Sequence, residues 1–299
     1  MQTMVKPQDA VITSLQAWGI LILLSLIWGT SYILIKWGLL YFPPTQVASI
    51  RLGVSALAFA PFLVYHIRKI KVAQLPLLFL VGLLGTGLPS FLFPAAQQGL
   101  NSSLAGILNS LTPLFTLLLG ILFFRSKFAW AKTLGILVGL GGAVCLFAFG
   151  ERAGISGHWT HGLLIVLACL CYGTSSNLVG FHLRGLKAIT ISSVSFSLVG
   201  VPALIYLLLG TDFIHTLQTV PEAWTGLGYI TILSLFSTVL AGVIFFQLIQ
   251  WTSPVFGSTV SYLVPLVSMV WGALDGEVIS TIHFAGMGLI LAGVYLSKQ

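Results

Sequence analysis

The chain has 299 residues, of which 57% are hydrophobic and only 6% charged, far below the roughly 25% charged residues of a soluble globular domain. That balance excludes a soluble enzyme and makes the lipid bilayer the protein's solvent. The formal net charge of +7 does not point to nucleic acid, because the basic residues are scattered in short loops and do not cluster on one face.

Near the N-terminus Lys6 is the one basic residue before Trp18, and no small-residue cleavage site precedes the first apolar run. These features predict an uncleaved first helix, not a signal peptide. Apolar runs of about 20 residues then predict spans near 18–40, 45–66, 75–96, 102–124 and 129–149. A second set follows near 160–182, 188–210, 223–248, 254–274 and 280–297.

The first span carries IWGTSYILIK at 27–36. Trp28, Tyr32 and Lys36 follow i, i+4, i+8 spacing and share one helix face, which reads either as a cavity wall for an amphipathic solute or as space-filling packing. Gly29-Thr30-Ser31 resembles a serine nucleophile turn, but such chemistry needs a base beside the serine, and the histidines fall at span ends or in loops. The alternative is close helix packing by small residues. Lys36 and Arg51, in the first and second spans, are the only strong charges well inside a span. Such a charge costs roughly 2.5–3.5 kcal/mol at mid-membrane. Either they snorkel to the interface, or they form a cationic site for a substrate carboxylate or phosphate.

No Asp, Glu, Lys or Arg occurs between Lys71 and Arg125, or between Glu222 and Asp275. Each stretch would extend about 75–80 Å as helix against a hydrocarbon core of about 30 Å, so each holds two spans. The breaks are GLNSS at 99–103 and QWTSP at 250–254. The polar residues inside these stretches, Gln97 and Asn109 in one and Gln247, Ser261 and Tyr262 in the other, must face protein, water or ligand. Pro113 and Pro265 each follow a polar residue by four positions and free a backbone carbonyl; that is either a kink or a place where a path opens.

The fifth span carries Gly135, Gly139 and Gly142, a small-residue packing face. The sixth spells CYGTSSNLVG at 171–180, where Tyr172, Ser176 and Gly180 occupy the face matched by Trp28, Tyr32 and Lys36. Cys145, Cys169 and Cys171 lie in apolar runs and form neither a disulfide framework nor a metal site. No catalytic constellation, metal site or cofactor motif is present.

With the N-terminus inside, ten of the eleven basic residues outside the deep spans fall on the cytoplasmic side: Lys6, Arg68, Lys69, Lys71, Arg125, Lys127, Lys132, Arg184, Lys187 and Lys298. Arg152 alone falls outside. This asymmetry predicts cytoplasmic N- and C-termini. The halves also align: Trp28-Gly29-Thr30-Ser31 with Tyr172-Gly173-Thr174-Ser175, and, 152 positions apart, Gln98 with Gln250, Asn109 with Ser261, Pro113 with Pro265 and Gly120 with Gly272. Five spans per half make the repeat inverted, an architecture common in secondary transporters. The fold class expected is an all-α integral membrane protein of ten helices in two inverted five-helix repeats, residues 1–150 and 151–299.

Trp28-Gly29, Arg51, Pro113, Pro265 and the closing segment 276–296 that begins Gly276-Glu277 resemble the EamA group of the drug/metabolite transporter superfamily. The chain departs from that pattern at Arg125, which stands where the counterpart of Glu277 is often acidic. The resemblance implies a ten-span inner-membrane carrier that exports a small metabolite such as an amino acid by alternating access. It also implies that the fifth and tenth helices lie together away from the cavity, in a monomer or in a homodimer joined through those two helices. The competing readings are a membrane-embedded enzyme acting on a lipid-linked substrate and a passive channel. No Asp or Glu lies deep in any expected span, so exchange or facilitated transport is expected over proton coupling. Glu277, at a span end, fits a loop or capping role. The solute-binding residues expected are Trp28, Tyr32, Lys36, Arg51, Gln97, Asn109, Tyr172, Ser176, Gln247, Ser261 and Tyr262, with no catalytic residue, no metal and no cofactor.

Overall fold

A computed structural model describes residues 13–124, 130, 134, 135, 137–139, 141, 142 and 159–297. Among the described residues every element is helical: α1 (Ser14–Gly38), α2 (Pro44–Lys69), α3 (Val72–Gln97), α4 (Ser102–Phe124), α5 (Trp159–His182), α6 (Ala188–Leu209), α7 (Ala223–Trp251), α8 (Pro254–Leu274) and α9 (Thr281–Ser297), with a short helix at Phe213–Thr219 between α6 and α7. The first eight are long and apolar enough to cross a membrane. α1 to α4 follow the first four expected spans, and α5 to α9 the sixth to tenth. Most of the expected fifth span lies outside the described residues, as do Lys6, Arg125, Lys127, Lys132, Cys145, Glu151, Arg152, His158 and Lys298.

α1 begins four residues before the expected Trp18 because Thr13 and Gln16 form a capping box. The Gln16 N–H donates to Thr13 Oγ1 at 3.3 Å and the Thr13 N–H to Gln16 Oε1 at 3.0 Å. Two free helix-end donors are thereby satisfied, a signal that hydropathy does not carry. Asn101 and Ser253, 152 positions apart, cap α4 and α8 in the same way, accepting from the N–H groups of Leu104 and Phe256.

Both capped helices are broken. α4 is helical over Ser102–Asn109 and again over Thr112–Phe124. α8 runs through Pro254–Ser258, a tighter turn at Thr259–Tyr262, and Val264–Leu274. Pro113 and Pro265 sit just past the breaks, where a proline removes the N–H that the carbonyl four residues earlier would accept. The Ser261 carbonyl freed in this way accepts instead from the Ser110 hydroxyl of the other broken helix, at 3.0 Å. α3 and α7 widen into π turns at Leu83–Gly87 and Leu233–Leu240, a feature that often marks a functional site.

α2 packs along α6, α4 lies against α5 and α8, and α1 lies against α8 and α7. Small residues set these distances. Gly135 and Gly139 face Gly293 of α9, and Gly142 faces Gly286 and Leu289, so the glycine faces of the fifth and tenth spans meet within the chain. Outer faces carry Leu122, Phe123, Leu137, Leu209 and Leu274, 63–84% exposed, as expected where the surrounding solvent is lipid.

A Cβ at Gly82 of α3 would overlap the Ser195 carbonyl of α6, while one at Gly19 meets nothing within 4 Å. Gly82→Ala is therefore expected to destabilise the folded protein by about 1–3 kcal/mol through backbone displacement, and Gly19→Ala to leave it unchanged. Thermal unfolding of the two purified variants in detergent checks this; equal midpoints would refute the α3–α6 approach.

Candidate functional site

The helices line a central, partly open cavity. Its shape follows from the breaks. The π turn of α3 brings Gly85 and Thr86 to the wall, the π turn of α7 brings Ser237 and Thr238, the break in α4 presents Asn109 and Thr112, and the break in α8 presents Ser258 and Ser261. α1 supplies Trp28, Ser31 and Tyr32, α2 supplies Arg51, and α5 supplies Tyr172, Ser175 and Ser176.

The apolar wall is aromatic. The Phe93 ring lies edge-to-face with Tyr32 at 5.6 Å and stacks on Tyr172 at 6.0 Å, so one ring from each half flanks it. Trp28 meets Phe245 edge-to-face at 4.9 Å, and its indole N–H donates to the Ser237 carbonyl at 2.9 Å. Ser31 hydrogen-bonds Ser237 across α1 and α7 at 2.7 Å and donates to its own helix at Ile27. Ser175 donates to the Val81 carbonyl of α3. Both serines of the repeated Gly-Thr-Ser motif thus join helices.

Arg51 is the one formal charge among the described lining residues, and its side chain is buried, 8% exposed. Its Nε donates to Thr238 Oγ1 at 2.8 Å, and among the described residues no carboxylate pairs with it.

Lys36 sits apart from this cavity. Its ammonium lies 2.6 Å from Asp275 Oδ2 and donates to Glu277 Oε1 at 3.1 Å. Both carboxylates come from the turn after α8. Gly276 there has φ +83, the left-handed conformation that ends a helix most cheaply when the residue is glycine. The Glu277 N–H closes the turn on the Gly272 carbonyl at 2.8 Å. Glu277 also caps α4, accepting from the N–H groups of Ser102 at 2.8 Å and Ser103 at 3.0 Å and from the Ser103 hydroxyl at 2.6 Å. The Trp37 indole donates to Asp275 at 2.9 Å. Burial pushes the Glu277 carboxyl up, but the Ser103, Ser102 and Lys36 donors outweigh it and hold the group below the usual carboxylate range. Asp275 follows the same pattern through Lys36 and Trp37.

Of the residues expected from sequence, Trp28, Tyr32, Arg51, Asn109, Tyr172, Ser176 and Ser261 come together on the cavity wall, and Lys36, Gln97, Gln247 and Tyr262 do not. Gln97 donates to the Tyr32 carbonyl at 2.9 Å and to the Ser102 hydroxyl at 3.2 Å, tying α3 to α1 and α4. Tyr262 packs against the central apolar cluster. Phe93, Phe245, Thr86, Ser237 and Thr238 are lining residues that hydropathy and polarity alone overlook. For Thr86 and Thr238 a signal existed: they are repeat mates 152 positions apart, like Asn109 and Ser261.

The sequence profile of the EamA-like transporter family matches residues 17–148 and 160–298. The chain is 27% identical over 291 residues to the "Uncharacterized inner membrane transporter YedA" of Escherichia coli (strain K12), covering 94% of this chain and 90% of that one. It is 25% identical over 289 residues, 92% of each chain, to a "Probable amino-acid metabolite efflux pump" of Salmonella typhimurium (strain LT2). A protein solved by crystallography shares the fold at a TM-score of 0.63 and 18% identity, covering 96% of this chain and 97% of the other.

A carboxyl whose folded value is depressed contributes stability above its unfolded value, about 4.3 for Glu and 3.9 for Asp, and loses it as pH falls through the folded value. The unfolding midpoint of the wild type is therefore expected to fall as pH drops below about 4.3. Glu277→Gln is expected to flatten that fall and to cost about 1–3 kcal/mol at pH 7. Thermal unfolding across pH measures both; an unchanged acid profile in Glu277→Gln would exclude Glu277 as a titrating tie.

Proposed function

The chain belongs to the EamA-like transporter family, and from that membership we propose that it is a secondary carrier that exports a small amphipathic metabolite by alternating access. The observation that carries the proposal is the central cavity, walled by equivalent elements of both halves: the π turns of α3 and α7, the breaks of α4 and α8, and Trp28 with Tyr172. Carriers built from inverted repeats bind at such a junction of broken helices.

In this reading the fold has ten spans in two inverted repeats, residues 1–150 and 151–299, with both termini in the cytoplasm of a cell-membrane protein. Reciprocal packing supports the repeat. Gly29 abuts Val267 while Gly173 abuts Phe115 and Thr116, and Val267 is the mate of Phe115 at the spacing of 152. Likewise Ser31 of α1 bonds α7 while Ser175 of α5 bonds α3. Each half therefore buries the opening helix of the other. Rocking about this junction exposes the cavity to one side and then the other. The Lys36, Asp275 and Glu277 tie joins α1 to the α8–α9 turn and to α4 at the end assigned to the outside. The printed name of the Salmonella relative makes amino-acid metabolites the first solutes to test.

Reconstituted into liposomes, the protein is expected to show saturable, solute-dependent counterflow. Tyr172→Ala and Trp28→Ala should each reduce it roughly tenfold, the loss that follows from about 1.4 kcal/mol of binding, while unfolding at midpoints that show a folded protein. Flux linear in solute concentration, without counterflow, would instead identify a channel.

A further inference from the structure

Arg51 and Thr86 are lining groups whose hydrogen bonding the described residues leave incomplete. A buried guanidinium without a counter-charge is costly in a membrane interior. The Arg51 Nε is taken by Thr238 Oγ1, but its other N–H groups have no acceptor among the described residues, and those residues put no Asp or Glu on the cavity wall. Thr86, 3% exposed, lines the same cavity with its hydroxyl unpartnered. Lys36 shows the contrast, since two carboxylates satisfy it. The second half adds no cation here: the position 144 after Arg51 is Ser195, and that after Lys36 is Gly180.

We propose that the solute is an organic monoanion: a carboxylate head held by Arg51, with Thr86 as a further donor, on an uncharged, apolar, ring-sized body. The inference rests on the carrier reading and narrows it. A guanidinium offers parallel N–H donors that match a carboxylate. One guanidinium offsets one negative charge, so a dianionic phosphate is left half neutralised. The ammonium of a zwitterion finds ring faces and hydroxyls but no carboxylate among the described lining residues. A cation meets Arg51 with like charge. The body of the solute lies against Trp28, Tyr32, Phe93 and Tyr172, whose rings form the apolar wall.

Four probes of one shape separate these cases: 3-phenylpropionate, 3-phenylpropanamide, phenylalanine and phenethylamine. Their affinities for the purified full chain are read from ligand-dependent thermal stabilisation. The acid is expected to bind about tenfold or more tighter than the amide, the gain of a charge-assisted pair, with phenylalanine weaker than the acid and phenethylamine weakest. Arg51→Gln should bring acid and amide to the same affinity, and Arg51→Lys should retain part of the difference. An acid that binds no better than the amide, or not at all, overturns the proposal, as does phenylalanine binding tighter than the acid. If Arg51→Gln fails to fold, the wild-type ladder still decides. Counterflow of the same probes keeps the two readings apart. Phenylalanine exchanging as well as the acid leaves the carrier standing and overturns the monoanion, while an intact affinity ladder with no exchange overturns the carrier and leaves the binding site.

Discussion

Inside a bilayer no water is available to repair an interrupted helix, so each interruption must be mended by another part of the protein. The cavity exists because this chain interrupts its helices in pairs. The Ser110 hydroxyl beside the break in α4 donates to the Ser261 carbonyl freed by Pro265 in α8, and the Cys169 sulfur of α5 lies 3.8 Å from the Asn109 carbonyl freed by Pro113. The wide turn of α7 is held to α1 through Ser31 and Ser237, and α3 is held to α5 just before its wide turn through Ser175 on the Val81 carbonyl. Removing one break would take away the group that satisfies its partner's buried carbonyl, so the irregular segments depend on each other.

The same constraint sorts the two intramembrane cations. Lys36, 35% exposed, is neutralised by carboxylates from a loop, and the pair is tied in turn to the start of α4 through Glu277, whose side chain is 4% exposed. That arrangement is structural and stands at one end of the bundle. Arg51 is more deeply buried, and its one partner among the described residues is a threonine hydroxyl, so its charge is held within the cavity by the helices around it. Two residues of similar charge and nearby positions thereby acquire different physical roles: one fastens helices, the other presents a field to whatever enters.

Small residues decide how near those fields come together. Gly29, Gly173, Gly82 and Gly106 each stand where an added methyl group would overlap a neighbouring helix. In lipid, where apolar surface gains nothing by leaving solvent, such close approach supplies the attraction between helices. The repeated aromatic-Gly-Thr-Ser segments are therefore packing devices, with their hydroxyls turned onto carbonyls of adjacent turns and helices.

The membrane class, the places of the described spans and the pairing of Asn109 with Ser261 and of Pro113 with Pro265 were legible from the sequence, because hydropathy and spacing act locally along the chain. Seven of the cavity residues were legible on the same ground, as polar or aromatic side chains that lipid would not tolerate. What spacing could not tell is which polar group finds its partner inside the protein. Gln97 turned to the Tyr32 carbonyl, Glu277 to the first turn of α4, and Lys36 to two carboxylates some 240 positions away. The phenylalanines of the wall carry no polar mark at all, and the π turns that expose Thr86 and Thr238 leave none in hydropathy. By itself the sequence determined the solvent and the places of the described spans, since each depends on residues close in the chain. Only the tertiary structure decided that Lys36 meets two carboxylates while Arg51 meets none among the described residues, because that depends on which distant helices come within hydrogen-bonding reach.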